Sequence, residues 1–317
     1  MAVLVDLVVM LGMLLIVPWG LGLVDSAGGS ARGAVPGTAA LRRLWPLFAV
    51  PGAVSLWLPR GALAAAPAAV YALGTLLLAL AGARRWARTR SLAPAEVALL
   101  TALASPSVAA TALVAERWGY RLFGFDLEIL DLTVPHFHFA GFAAALVAGL
   151  VAHTVGGGHP RLSGFAALSV PAGTFLVLAG YFLDDWVELA GAAVLTAGMW
   201  AVGLLTWRDV RARAGDRVTG ALLGVSAGVL VATMLLALSW ALGEATGLPH
   251  PSLGWMAATH GLANALGFAL CSLLAWRRLR SPARTVPSTG SAPARPASDH
   301  PEEPSAHLSA TGKETLV

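Results

Sequence analysis

Two histidines one residue apart, His136 and His138, open an apolar run in the stretch TVPHFHFAGF at 133–142. Imidazole nitrogens bind metal ions and exchange protons near neutral pH. A third histidine, His260, lies in the apolar stretch MAATHGLANALGF, and Asn264 follows one helical turn later on the same face. Because a polar group in hydrocarbon is costly unless it has a partner, these residues are the first candidates for a functional site.

The H-x-H spacing has a geometric consequence. Residues two apart on a regular helix point about 200° away from each other, so His136 and His138 cannot both face one ligand. Pro135 suits the first turn of a helix, with Thr133 or Val134 near its start. We therefore expect one histidine to face the helix bundle and the other to face the loops above it. H-x-H alone is a weak metal pattern, and a buried histidine with nearby carboxylates strengthens it.

Carboxylates occur where they could join the histidines. Asp184, Asp185 and Glu188 lie in YFLDDWVELAG, at a short connection between two apolar segments. A solvated turn is the alternative role for the two aspartates. The candidate catalytic residues are His136, His138, His260 and Asn264. The candidate ligands of a divalent metal ion are His136, His138, His260, Asp184, Asp185 and Glu188.

The composition indicates what surrounds these residues. Hydrophobic residues make up 57% of the 317, charged residues only 12%, and the mean hydropathy is +0.72. Soluble domains carry about 25% charged residues, so the chain is predicted to be an all-α, polytopic bundle in the lipid bilayer. The single cysteine, Cys271, excludes a disulfide framework and a Cys-based metal site. The net charge of +4 is expected to report membrane orientation and not nucleic-acid binding.

Nine apolar segments are bounded by charges, at 2–24, 44–58, 61–82, 96–115, 132–154, 162–183, 187–207, 218–242 and 253–276. The segment 44–58 is short for a bilayer core of about 30 Å, and Pro46 and Pro51 interrupt it. The alternative for this segment is a re-entrant element, which would leave eight spans.

The basic residues predict the orientation. With the N-terminus outside, 18 arginines and lysines fall on the inner side and three on the outer side. This excess indicates a multi-pass protein of the plasma membrane with the C-terminus inside. The histidine pair and the acidic connection then lie on the outer side. Residues 1–280 form the predicted helical bundle, and residues 281–317, rich in proline and serine, are predicted to be a disordered cytoplasmic tail.

The two histidine motifs also carry a family resemblance. HFHFAGF at 136–142 and HGLAN at 260–264 resemble motifs of the YndJ-like family of bacterial integral membrane proteins. The resemblance covers the nine segments and not the tail. It implies a membrane location and supplies no established reaction.

Three functional hypotheses follow from these residues. The first is a membrane enzyme with a metal-supported site near the outer leaflet, which hydrolyses a lipid or lipid-linked substrate. The second is a transporter or proton-linked permease, in which the same residues relay protons or bind a cation. The third is a haem-binding or sensory membrane protein, although helices with axial histidines would have to face each other across the bundle.

Overall fold

The computed structural model describes residues 2–27 and 38–280, and these ranges contain helices and turns without strands. The predicted tail at 281–317 lies outside the described residues. The helices are α1 (Ala2–Val24), α2 (Thr38–Leu44), α3 (Pro46–Ser55), α4 (Ala62–Thr89), α5 (Pro94–Trp118), α6 (Leu127–Val155), α7 (Pro160–Gly180), α8 (Asp185–Arg213), α9 (Arg217–Thr246) and α10 (Leu253–Arg280). All except α2 and α3 are long and apolar enough to cross a membrane. The predicted all-α, polytopic bundle is confirmed.

The weak segment at 44–58 belongs to the bent pair α2 and α3, which runs antiparallel to α1. The Arg42 guanidinium packs against Gly22, near the C-terminal end of α1. The Trp45 indole N–H donates to the Met13 carbonyl oxygen over 2.8 Å. Further along the chain, Trp57 lies beside Met10. The pair therefore follows α1 from Gly22 to Met10, and it adds a shorter apolar element to the eight helices that are long enough to cross a membrane.

The ends of the bundle differ in charge. We call the end with Glu116, Glu188 and Glu244 the acidic face and the end with Arg42 and Arg278 the arginine face. At the acidic face, the buried Glu116 carboxylate accepts hydrogen bonds from Arg117 and, over 2.6 Å, from Arg60. At the arginine face, Arg280 donates to the Leu23 carbonyl oxygen over 2.6 Å and joins the last helix to the first. At both ends of the bundle these charged side chains therefore have hydrogen-bond partners within the protein.

Helix α6 forms the centre of the bundle. Its half from Ala144 to Ala152 consists of alanine, valine, leucine and glycine, all of them buried. A helix that is apolar all round is buried on every side. This explains why α6 carries the histidine pair in the interior and not on a lipid-facing surface.

The start of α6 corrects one expectation. The helix begins at Leu127, so Pro135 lies in its interior and not in its first turn. Because proline cannot donate an N–H and crowds the preceding turn, it disturbs the hydrogen-bond ladder. A π-helical stretch follows at Phe137–Ala143. Widened turns of this kind also occur in α1 at Gly12–Ile16 and in α10 at Ala257–Gly261 and Asn264–Leu270. The π-helical turns of α1, α6 and α10 pack against one another.

Helices α7 and α8 pack at backbone contact. A Cβ atom added to Gly180 would lie 2.5 Å from the backbone nitrogen of Glu188. Small residues allow membrane helices to approach this closely. The close approach fixes Glu188, on the first turn of α8, at the acidic end of the bundle interior.

Candidate functional site

A cavity of about 240 Å³ lies in the half of the bundle near the acidic face. Helices α1, α6, α7, α8, α9 and α10 contribute to its walls, which are mostly apolar. Its wall on α10 extends from Leu253 to Phe268, which corresponds to roughly 22 Å of helix. The polar side chains on its walls are those of Thr133, His136, Tyr181, Glu188, Trp240, His260 and Asn264. The cavity is thus elongated along the helices and has few polar groups, a shape that suits an amphiphilic molecule.

Hydrogen bonds orient His260 in this cavity. Its Nδ1 lies 2.7 Å from the backbone carbonyl oxygen of Thr233 on α9. Since a carbonyl oxygen only accepts, Nδ1 carries the proton and Nε2 keeps its lone pair. The Asn264 amide nitrogen lies 3.3 Å from Nε2, and the Thr233 hydroxyl donates to the Asn264 side-chain oxygen over 3.0 Å. Thr233 therefore positions both residues of the HGLAN motif.

His136 lies on the wall of the same cavity. Its Nε2 is buried and has no hydrogen-bond partner among the described residues. His260 lines the same cavity. A neutral imidazole nitrogen donates or accepts a hydrogen bond according to the tautomer of the ring. A buried polar atom without a hydrogen-bond partner is rare in proteins. This nitrogen is therefore the atom of the cavity best placed to receive a polar group of a ligand.

His138 has different surroundings and does not line the cavity. The Tyr71 hydroxyl lies 2.5 Å from Nε2, and the Val134 carbonyl oxygen lies 2.7 Å from Nδ1. The ring is completely buried and packs against Gly12. Both of its nitrogens are engaged, so His138 joins α6 to α4 and leaves no nitrogen for a ligand.

The three carboxylates also separate. Asp184 caps α8 by accepting a hydrogen bond from the backbone N–H of Val187 over 2.9 Å. Asp185 is exposed, and neither aspartate lines the cavity. Glu188 is buried and lines the cavity. Asp184 therefore has a structural role, because the first turn of a helix favours a side-chain acceptor at its N-cap.

The six proposed metal ligands are not brought together. Within 2–27 and 38–280, no group of three or more histidine, cysteine, aspartate or glutamate side chains is placed to hold a metal ion. His138 is bound to Tyr71, and Asp184 and Asp185 lie outside the cavity. The six side chains therefore do not form one ligand set, and only His136, His260 and Glu188 among them line the cavity.

Sequence reasoning missed three residues of this region: Tyr71, Thr233 and Tyr181. Burial, with the nearby carboxylates of Glu188 and Glu244, raises the pKa of the Tyr181 phenol above its ordinary range. The phenol stays protonated at neutral pH and is available as a donor at the acidic end of the cavity. Tyr71 and Thr233 reach the region from helices distant in sequence from the histidines they contact. Tyr181 begins the stretch YFLDDWVELAG and could have been found from its position beside the carboxylates.

The fold and the charge distribution define a polytopic helical membrane protein with an internal polar site. The YndJ-like protein family matches residues 7–268, and the chain belongs to this family. The match includes both histidine motifs and all walls of the cavity except Leu4 and Val5. No match was found among curated proteins or among solved structures.

Proposed function

We propose that the protein is a membrane-embedded enzyme that takes an amphiphilic, lipid-like substrate into the cavity and hydrolyses a bond at its polar group. The observation that carries this proposal is the Nε2 of His136, which has no hydrogen-bond partner within 2–27 and 38–280 and lies on the wall of a mostly apolar cavity. The apolar walls suit a hydrocarbon chain, and the few polar groups suit one small headgroup.

Each polar residue has a role in this proposal. His260 is the general base, because its proton is held on Nδ1 by Thr233, and its Nε2 lone pair takes a proton from water in exchange for the long contact with the Asn264 amide. His136, as the neutral imidazole, donates a hydrogen bond to the polar group, and His260 returns the proton it took from water to the leaving group. Asn264 is a positioning residue that keeps the His260 ring in place. Glu188 and Tyr181 lie at the acidic end of the cavity, where they contact the polar group as it enters.

The same geometry argues against haem as the ligand of the site. Bis-imidazole ligation requires two imidazole nitrogens that face each other without other partners. Among the described residues that line the cavity, only His136 has such a nitrogen, since both nitrogens of His260 have partners, Thr233 at Nδ1 and Asn264 at Nε2.

Photolabelling tests whether the cavity holds an amphiphile. The purified protein in nanodiscs is irradiated with palmitic acid that carries a diazirine in its chain, and the labelled peptides are mapped by mass spectrometry. We expect label on the cavity walls of α6, α9 and α10. Ala237→Trp fills the cavity from α9 and should remove most of this label. Ala232→Trp, on the exposed face of the same helix, is the matched control and should not.

Label spread over the lipid-facing surface, and unchanged by Ala237→Trp, would show that the cavity takes up no amphiphile. Such a result would overturn the proposal at its first step, before any question of catalysis.

One observation favours a second candidate, a proton-linked permease. Glu188, His136 and His260 line a single cavity that leads from the acidic face into the membrane, as in a proton relay. Liposome assays distinguish the two functions. Release of a fatty acid or headgroup from a labelled lipid supports the enzyme, whereas substrate-dependent acidification of the lumen without release supports the permease.

A further inference from the structure

A second recess lies on the arginine face, between the end of α8 and the start of α9. It is an open groove of about 740 Å³. Its walls, which we call the basic groove, are formed by Trp207, Arg208, Arg211, Ala212, Ala214, Gly215, Asp216, Arg217, Gly220 and Ala221. It is separate from the cavity of His136 and His260, with which it shares no residue.

The shape of the groove results from the way α8 ends. The helix widens into a π-helical turn at Thr206–Val210 and then tightens into a single 3-10 turn at Arg211–Arg213. Arg211 is held in place, because its Nε donates to the Gly220 carbonyl oxygen over 3.2 Å and its guanidinium lies 4.4 Å from the centre of the Trp207 ring. The terminal N–H groups of Arg211 remain available as donors.

The charge in the groove is positive. Arg208 and Arg217 form no ion pair with the described part of the chain, which leaves three guanidinium groups around one opening. The one carboxylate in the groove, Asp216, already has partners. It accepts hydrogen bonds from the Val218 and Thr219 backbone N–H groups and pairs with Arg278 over 3.2 Å. The negative charge of Asp216 is therefore balanced by Arg278, which does not line the groove.

The groove lies where the apolar surface of the bundle ends. Leu204 and Trp207 on α8 and Val218 on α9 are exposed large apolar side chains that flank it. Tryptophan at such a boundary is typical of the headgroup level of a bilayer. A molecule in the groove would thus have its charged part beside the arginines and its apolar part along the neighbouring helices.

We propose that the basic groove binds the phosphate group of an anionic phospholipid. Guanidinium groups recognise phosphate oxygens through paired, charge-assisted hydrogen bonds, and basic pockets between helices hold anionic headgroups. The adjoining apolar surface favours a lipid over a free phosphate, because only a lipid gains from both parts of the site.

Native mass spectrometry of the full chain, released from a mild detergent, tests this proposal. The protein is titrated with phosphatidylglycerol and, in parallel, with phosphatidylcholine of the same acyl chains. We expect phosphatidylglycerol to be retained preferentially. The double variant Arg208→Gln with Arg217→Gln should weaken this retention on the order of tenfold, from two lost headgroup contacts.

Two control variants make the result specific. Arg43→Gln with Arg84→Gln removes the same charge from the arginine face outside the groove and should leave the retention unchanged. Arg208→Lys with Arg217→Lys keeps the charge and should retain part of the binding, because lysine lacks the paired guanidinium geometry. Equal losses from both glutamine pairs would show a general charge effect and overturn the site.

Competition with glycerol phosphate and inorganic phosphate identifies the source of the phosphate group. We expect neither to displace phosphatidylglycerol at concentrations many times that of the lipid. Displacement at equal concentration would overturn the lipid proposal in favour of a soluble anion. Because the groove and the cavity share no residue, either proposal can fail without the other.

Discussion

The Tyr71 hydroxyl lies 2.5 Å from Nε2 of His138, although 67 residues separate the two in sequence. With the Val134 carbonyl oxygen on the other nitrogen, the second histidine of the H-x-H pair is fully engaged. The first histidine, His136, faces the cavity with one nitrogen unpartnered. Two histidines only two positions apart therefore have different surroundings: His138 lies inside a packed contact and His136 lies on a cavity wall.

Removal of the Tyr71 hydroxyl should destabilise the protein. Tyr71→Phe keeps the ring but leaves Nε2 of His138 buried without a partner, which costs about 1–3 kcal/mol. Thermal unfolding in detergent measures the effect as a lower Tm. Tyr120→Phe, at an exposed position, is the control and should change the Tm little. Equal Tm values for the two variants would mean that the hydrogen bond does not stabilise the bundle.

The contact between α7 and α8 makes a second stability prediction. A Cβ atom at Gly173 would lie 2.5 Å from the backbone nitrogen of Leu195, so Gly173→Ala must push the two helices apart. Overpacking of this kind costs about 1–3 kcal/mol. Gly228→Ala, in the middle of α9, has open space within 4 Å and should be neutral or slightly stabilising. A Gly173→Ala protein as stable as the Gly228→Ala protein would contradict the close packing.

Cysteine labelling tests the predicted orientation and the crossing of the membrane by α4. After Cys271→Ser, single cysteines are placed at Arg60 and Arg90, which lie at opposite ends of α4. An impermeant maleimide should label the cysteine at position 60 in intact cells, and the one at position 90 only after permeabilisation. The reverse pattern would invert the orientation, and labelling of both in intact cells would refute a crossing between them.

The first turn of α9 should depend on pH only in strong acid. Hydrogen bonds from Thr219, followed by Arg278, lower the pKa of Asp216 from its ordinary 3.8 to about 2. A lowered carboxyl pKa adds stability that is present above pH 3.8 and is lost as the pH falls through about 2. The protection factors of the Val218 and Thr219 amides against hydrogen exchange should therefore be constant from pH 7 to pH 4 and fall below that.

Asp216→Asn is the control for this prediction. It keeps the size of the side chain but cannot titrate, so its amide protection should show no step between pH 4 and pH 2. A loss of protection in the natural protein already between pH 7 and pH 5 would assign the titration to another group.

The long helices could be predicted because hydropathy alone determines them. The run AALVAGLVA at 144–152, for example, belongs to an apolar segment of 23 residues at 132–154, which is long enough to cross a bilayer. The sequence segment 44–58 is too short to cross a bilayer by itself. The structure adds the residues from Thr38 to Leu44 to it as helix α2. The predicted start of α6 was wrong. In sequence, Pro135 is typical of the first turn of a helix, but in the structure it lies inside the helix, where it interrupts the backbone hydrogen bonds.

The candidate site could be predicted in part. A buried histidine in lipid requires a partner, but the sequence cannot name one from another helix, as Thr233 for His260 and Tyr71 for His138 show. The carboxylates of YFLDDWVELAG are adjacent in sequence, and a single helix start separates the capping Asp184 from the buried Glu188. Contacts between distant helices therefore decide which polar residue meets the cavity.

We propose that His136 and His260 act on one polar group inside the cavity. The photolabelling yield of the cavity peptides in His136→Gln and His260→Gln tests this proposal, with Tyr71→Phe as the structural control. The diazirine palmitic acid is compared with a probe of the same chain in which a methyl group replaces the carboxyl group. We expect the palmitic acid label to decrease roughly fivefold in each histidine variant, as for one lost hydrogen bond, and the hydrocarbon label to stay unchanged. Palmitic acid labelling equal to that of the natural protein in both histidine variants would contradict the shared site.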